Sequence, residues 1–403
     1  MSNKPLTIWQ LAVANIKRKP LRTAGLIIIV ALVAFVLFAG GILSVSLKNG
    51  LESMKERLGA DLLVVPVGYD EGVEGIIVKG EPAYFYFDKS VETELEKVEG
   101  VKSVSSQFYL TSLNQDCCSV PVQFIGFDPE TDFSIRPWIS EVYSKDIKDG
   151  ELIIGSDITA DENNRLKFFG EEYTVAAKLE ETGTGLDQAV YANMNTLVHL
   201  FGAAKEKGLT FIDTIDPESS VSSVLVRLED GYDLDEVTHN IRASSDGLQV
   251  IKTKSMVTGI ADDLDGLVSV IYVFAALFLV VVLIMLVIVF SVTANERKKE
   301  FATLRALGAS GKKLARLVIT EALLICGIGG SAGTIVSAVI VLSFSTYIGD
   351  RLGLPYLQPG IAGISGIALL ALAVSLGLGP LGSAYTAGRL NRREVYLTMR
   401  EGE

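Results

Sequence analysis

The residues able to do chemistry are few, and their spacing argues against catalysis. Gly308-Ala-Ser-Gly-Lys-Lys313 is the string nearest to a phosphate-binding loop. It lacks the four residues needed between its glycines, and Lys313 stands where a Ser or Thr must reach magnesium. ATP hydrolysis by this chain alone is therefore not expected, and no cofactor is assigned to it. Thr182-Gly-Thr-Gly185 follows charged residues and opens no helix, so it reads as a loop. His199 and His239, the two histidines, belong to no metal-ligand spacing, and no nucleophile-elbow string supports a Ser–His–Asp site. Cys117 and Cys118 are adjacent in a polar region. Two readings of them stay open: contact with a soft metal, haem or thiol partner, or two ordinary thiols at a strand end or an intermolecular bridge. Cys326 lies in an apolar run and reads as packing. Glu321 is the one ionisable residue within such a run. A charge in hydrocarbon is costly, so Glu321 sits either at the headgroups or against another helix. Arg316, five residues away, is poorly placed to pair with it.

The elements that would position these groups are set by apolar runs. Mean hydropathy is +0.38, too high for an ordinary soluble chain. Four stretches are long enough to cross a bilayer: Ala24–Leu47, Leu267–Ala294, about 317–348 and Gly360–Leu381. Each reads as a helix, because backbone polar groups in lipid must pair internally, and the runs do not alternate as barrel strands would. The first is too long for a signal peptide and has no convincing cleavage site. Residues 48–265 hold 41 of the 48 acidic residues and 19 of the 36 basic ones, a net of −22. Such a block repels phosphate, so nucleic acid is not an expected partner. The three other polar segments are basic: Lys4 to Arg22, residues 295–316, and Arg389 to Arg400. Basic segments stay in the cytoplasm, which puts both termini inside and residues 48–265 outside. The expected protein is a multi-pass protein of the cell (inner) membrane, with four transmembrane helices and a large mixed α+β extracytoplasmic domain between the first two.

Nine segments follow. Residues 1–22 form a cytoplasmic amphipathic stretch, read as an interfacial helix or as a plain basic flank. Residues 23–47, 266–294, 317–348 and 360–385 are the spans, 48–265 the outer domain, 295–316 a cytoplasmic segment, 349–359 a short outer loop and 386–403 a tail. Leu47, Leu51, Met54 and Leu58 continue the first span as a helix that Gly59 stops. Met256, Ile260, Leu264 and Leu267 lead into the second. Strands are expected over Asp61–Val67, Val120–Phe127, Leu152–Gly155, Tyr173–Leu179, Ala189–Tyr191, Ser222–Leu228 and Leu248–Lys252. Helices are expected over Ser90–Val98, with Ser90 as cap, and Leu234–Ala243. Strand–helix–strand units at both ends of the block suggest two subdomains. Gly329, Gly330 and Gly333, with Gly363, Gly366, Gly377, Gly379 and Gly382, permit close helix contact, within the chain or across a dimer.

In the segment 295–316, Phe301, Leu304 and Leu307 form an apolar stripe, and Gly308 allows a sharp turn. A loop that only fixes topology explains the charges but not this stripe, which reads as a docking helix. The string Glu300-Phe-Ala-Thr-Leu-Arg-Ala-Leu-Gly-Ala309, followed by Glu321-Ala-Leu-Leu, resembles the FtsX-type permease domain, a group that includes MacB-like and LolC/LolE-like membrane subunits of ABC transporters. The opening Leu11-Ala-Val-Ala-Asn-Ile-Lys-Arg-Lys-Pro-Leu-Arg-Thr23 and Gly59-Ala-Asp-Leu-Leu-Val-Val65 are similar to that family too.

The resemblance implies a permease subunit without activity of its own. It implies a second permease subunit, in a homo- or heterodimer, above a separate cytoplasmic ATPase that binds the ATP and magnesium. Glu300, Phe301, Leu304, Arg305, Leu307 and Gly308 would face that ATPase, whose closure would move the outer domains to export or extract a substrate. The alternative is an FtsX-like signalling regulator that acts on an extracytoplasmic partner enzyme. A membrane-bound redox protein centred on Cys117 and Cys118 is a third reading.

Overall fold

The computed structural model describes residues 7–112, 118, 121–209, 212–244, 247–352 and 354–392. In chain order the helices are α1 (Ile8–Arg18), α2 (Pro20–Leu58), α3 (Asp70–Glu74), α4 (Ser90–Leu95), α5 (Ile135–Val142), α6 (Met194–Glu206), α7 (Leu234–Ser244), α8 (Thr253–Glu296), α9 (Lys298–Ala306), α10 (Gly311–Ser343), α11 (Ser345–Leu352) and α12 (Ile361–Arg392). The strands are β1 (Leu62–Pro66), β2 (Phe87–Asp88), β3 (Val101–Thr111), β4 (Gln123–Phe127), β5 (Glu151–Ile154), β6 (Arg165–Phe168), β7 (Glu171–Lys178), β8 (Ala189–Asn193), β9 (Ser220–Val221), β10 (Ser223–Leu228) and β11 (Leu248–Lys252). They fall into a helical unit, residues 1–45, 266–345 and 359–403, and a sheet unit, residues 46–265 and 346–358.

In the helical unit α2, α8, α10 and α12 are long and apolar enough to cross a membrane. Val273 and Phe274 of α8 are two-thirds exposed, as side chains meeting lipid would be. Glycines set how closely the helices approach. A Cβ on Gly333 would lie 2.0 Å from the Ala31 carbonyl oxygen of α2, and one on Gly329 would lie 2.7 Å from that of Ile27. Gly330 faces Ser375 of α12, and Gly379 faces the Ala322 carbonyl of α10. These glycines thus serve packing within the chain, whereas Gly366 and Gly377 face no atom within 4 Å. The stretch read as one span over 317–348 is divided: α10 ends at Ser343, Phe344 leaves helical geometry, and α11 covers the end of that stretch and the first four residues of the expected outer loop. At the other end α10 already begins at Gly311, within the segment assigned to 295–316.

The sheet unit carries a nine-stranded mixed sheet in the order β11-β1-β10-β3-β4-β8-β5-β7-β6, and β2 pairs with β9 separately. Two apolar cores lie on it. Leu62, Val104, Val226, Val237 and Val250 build one with α4 and α7. Phe108, Phe124, Ile154, Val190 and Phe201 build the other with α6. These are the two expected subdomain cores, but one sheet joins them, because the eleven-residue β3 supplies Val104 to the first and Phe108 to the second. β4 starts at Gln123, and α4 stops at Leu95. Ser90 is not the cap: the Asp88 carboxylate accepts its amide at 2.8 Å. The helix α2 ends at Leu58, and Gly59, at φ +59°, turns the chain into β1. The Thr182–Gly185 loop is ordered by a buried carboxylate. Asp187 accepts the amides of Thr182 and Gly183 and the Thr182 hydroxyl, each within 3.0 Å. Burial pushes the Asp187 carboxyl up, against the pull of those donors. Gly183, at φ +69°, then accepts the Tyr356 amide on its carbonyl at 2.6 Å, an approach that leaves no space for a Cβ.

Candidate functional site

Thr7 opens α1 with a capping box, its hydroxyl accepting the Gln10 amide while the Gln10 side chain accepts the Thr7 amide. The helix stops at Arg18 because Pro20 cannot continue it, and α2 starts there at once. The Thr23 hydroxyl closes the corner on the Ile16 carbonyl at 3.1 Å. This corner presents Asn15, Arg18, Lys19 and Arg22 to the junction of α8, α9 and α10.

Glu321 on α10 is the centre of that junction and is buried. Arg297, between α8 and α9, binds it in a fork, with Nη1 3.0 Å from both carboxylate oxygens. The Asn15 amide donates to the same carboxylate. Arg297 also donates through Nε to Glu300 at 2.8 Å and lies 5.0 Å from the Phe301 ring centroid. Arg18 reaches Glu300 at 3.3 Å. Lys19 and Arg22 reach Glu296 at 2.5 and 3.5 Å. Lys19 holds the Glu296 carboxyl below its ordinary range. The groups surround a cavity of about 110 Å³.

Of the two readings of Glu321, the structure bears on one: the carboxylate touches side chains outside its own helix. Its partners come from 24 positions upstream and from the N-terminal helix. The sequence signals that a lone acid in an apolar run needs a partner, but the many basic side chains that flank the spans do not say which one supplies it.

The apolar stripe of α9 divides in two. Phe301 is buried against Leu314 and Val318 of α10, with Leu304 and Ala309 beside it. The stripe's end is bare: Leu307 is 81% exposed, next to Gly308 at φ +92°. Glu300 is exposed but paired, and Arg305 is half-buried. Ser310 then caps α10, accepting the Lys313 amide. Of the six residues expected to meet an ATPase, Leu307 and Gly308 form an open tip, while Phe301 is a foot that fixes α9 to its own chain. The tip is joined to α8 and α10 by apolar packing and by a two-pronged ion pair.

Elsewhere, Cys118 is half-buried and packed on the second core, its sulfur accepting the Phe169 amide at 3.5 Å. Cys117 lies outside the described residues. Among the described residues no three His, Cys, Asp or Glu side chains converge as a metal site.

The family model for the FtsX-like permease C-terminal region matches residues 272–391. That for the MacB-like periplasmic core domain matches residues 21–244. Among curated proteins nothing matches. The extracellular domain of the noncanonic ABC-type transporter YknZ from Gram-positive bacteria is similar at 14% identity, over 48% of this chain and 98% of that one, with a TM-score of 0.28. The periplasmic region of MacB from Actinobacillus actinomycetemcomitans is similar at 12% identity, over 53% of this chain and 97% of that one, with a TM-score of 0.32.

Proposed function

Because the chain belongs to the FtsX- and MacB-like permease family of ABC transporters, we propose that it is the subunit that carries the motion of a separate ATPase to its extracytoplasmic domain, to export or extract a substrate. ATP and magnesium belong to that ATPase, and this chain is not catalytic by itself. A second permease subunit completes the complex, in a cell (inner) membrane, with both termini cytoplasmic. The observation that carries the reading is the α9 arm. Phe301 and the Arg297–Glu321 fork anchor it, and Leu307 and Gly308 remain free at its end. An arm fixed at one end and bare at the other suits a handle gripped by a motor. Glu321, the one ionisable group inside a span, is taken up by Asn15 and Arg297, which supports a lever over a polar channel.

The test is co-purification of an ABC ATPase expressed with the chain. Leu307→Asp is expected to weaken the complex about 30-fold or more, as loss of an interface anchor does. Insertion and folding should be unchanged, because Leu307 is 81% exposed. A complex that survives this change undiminished would remove the docking role. The regulator reading uses the same lever and is favoured if the complex's ATPase responds to a bound extracytoplasmic hydrolase and to no cargo.

A further inference from the structure

The sheet unit contains a second cavity, of about 40 Å³, between the sheet, helix α5 and the last turn of α2. Its walls are mostly aliphatic, and no acidic side chain lines it. Most of its polar groups satisfy one another. The Tyr109 hydroxyl donates to Gln107 Oε1 at 3.0 Å and accepts from Ser223 at 2.9 Å. Gln107 Nε2 donates to Ser134 Oγ at 3.3 Å, and Ser134 Oγ to Asp132 at 3.2 Å. The Tyr191 hydroxyl donates to the Leu186 carbonyl at 3.0 Å. Burial pushes the Tyr109 hydroxyl up to about 12, so it stays neutral.

Two donors are left over. Among the described residues, Arg57 Nε and Trp138 Nε1 are both buried without a partner. Trp138 is 3% exposed, and the Arg57 guanidinium carbon lies 5.0 Å from its ring centroid. Arg57 spends Nη1 on the exposed Glu141, at 3.2 Å. The cavity therefore has an excess of N–H donors, one positive charge and apolar walls. Buried donors without acceptors are costly, and a guanidinium prefers a carboxylate.

We propose that this cavity binds the carboxylate of an aliphatic monocarboxylate, which accepts from Arg57 Nε and Trp138 Nε1. Its volume takes about three water-sized groups. That fits a carboxylate and its first carbons, so a longer chain continues outside. Arg57 ends α2, so occupancy ties the end of that helix to α5. The site stands independently of the permease reading.

The chain has two tryptophans, Trp9 and Trp138. In the full-length Trp9→Phe protein in lipid nanodiscs, Trp138 is the sole fluorophore. Titration with octanoate is expected to change its emission saturably, with a midpoint about tenfold or more below that of 1-octanol, which has the chain without the charge. Arg57→Gln should raise the octanoate midpoint by a similar factor and leave that of octanol in place. Should Arg57→Gln not fold, the comparison of octanoate with octanol in the intact cavity decides alone. Equal midpoints for the two compounds, or no saturable response to octanoate, would overturn the proposal and leave water as the occupant.

Discussion

Arg297→Ala is expected to destabilise the helical unit by about 3–5 kcal/mol, the cost of leaving a buried charge without its partner. Arg297 and Glu321 side chains are each 11% exposed, so solvent screens the pair little. Among the described residues, the remaining Glu321 keeps the Asn15 amide as its hydrogen-bond donor. Glu321→Ala strands Arg297, but Glu300 still holds its Nε, so the loss should be smaller. The double change Arg297→Met with Glu321→Leu removes both charges and should recover most of the stability, since apolar replacements of a buried pair are often neutral. Coupling to the ATPase should not recover, because the fork also sets the position of α9. Denaturant unfolding of the purified protein reads the first effect and ATPase co-purification the second. An Arg297→Ala protein within about 0.5 kcal/mol of the parent, the range of an ordinary surface substitution, would sink the argument.

Gly333→Leu is expected to be the most damaging single change within the spans. A Cβ there would overlap the Ala31 carbonyl, at 2.0 Å, and no side-chain rotation relieves a clash with backbone. The helices α2 and α10 must separate, and the Val30 and Ala322 packing between them goes too. Overpacking usually costs about 1–3 kcal/mol, and a clash with rigid backbone lies at or above the top of that range. Gly333→Ala should already be visible. Gly366→Ala supplies the contrast, since no atom lies within 4 Å of its added carbon. Heating the solubilised protein and measuring the monodisperse fraction separates them. Equal survival of Gly333→Leu and Gly366→Ala would show that the two helices do not meet at Gly333.

The elements legible in the sequence were those whose pattern is local. Leu47, Leu51, Met54 and Leu58 mark the continuation of α2 because they are one helical stripe, and Gly59 ends it through a backbone angle that glycine tolerates. The strand β3 was missed. Its Ser105 and Gln107 are polar yet buried, satisfied by Asp132 and Ser134 from a segment 27 positions away. Helices α5 and α6 were missed as well. The carboxylate of Asp132 receives the amides of Ile135 and Arg136 at the start of α5, a cap visible only once the loop is folded. At the candidate site the apolar spacing of Phe301, Leu304 and Leu307 gave α9 but not the division of labour along it. That division depends on Leu314 and Val318, which return to the segment only after the turn at Gly308. The partners of Glu321 were hidden for the same reason, Asn15 lying 306 positions away.

The two longest helices enter the sheet through neighbouring strands, α2 through β1 and α8 through β11. These strands are antiparallel, paired from Leu62 opposite Lys252 to Pro66 opposite Leu248, and both helices attach at the Leu62–Lys252 end. Load carried equally by the two helices is shared across all the rungs of this ladder, and the sheet follows as one body. A load that spreads them apart meets the first rung alone and peels the pair open in sequence, like a zipper. A join of this register is expected to resist a common pull better than divergence of the two helices.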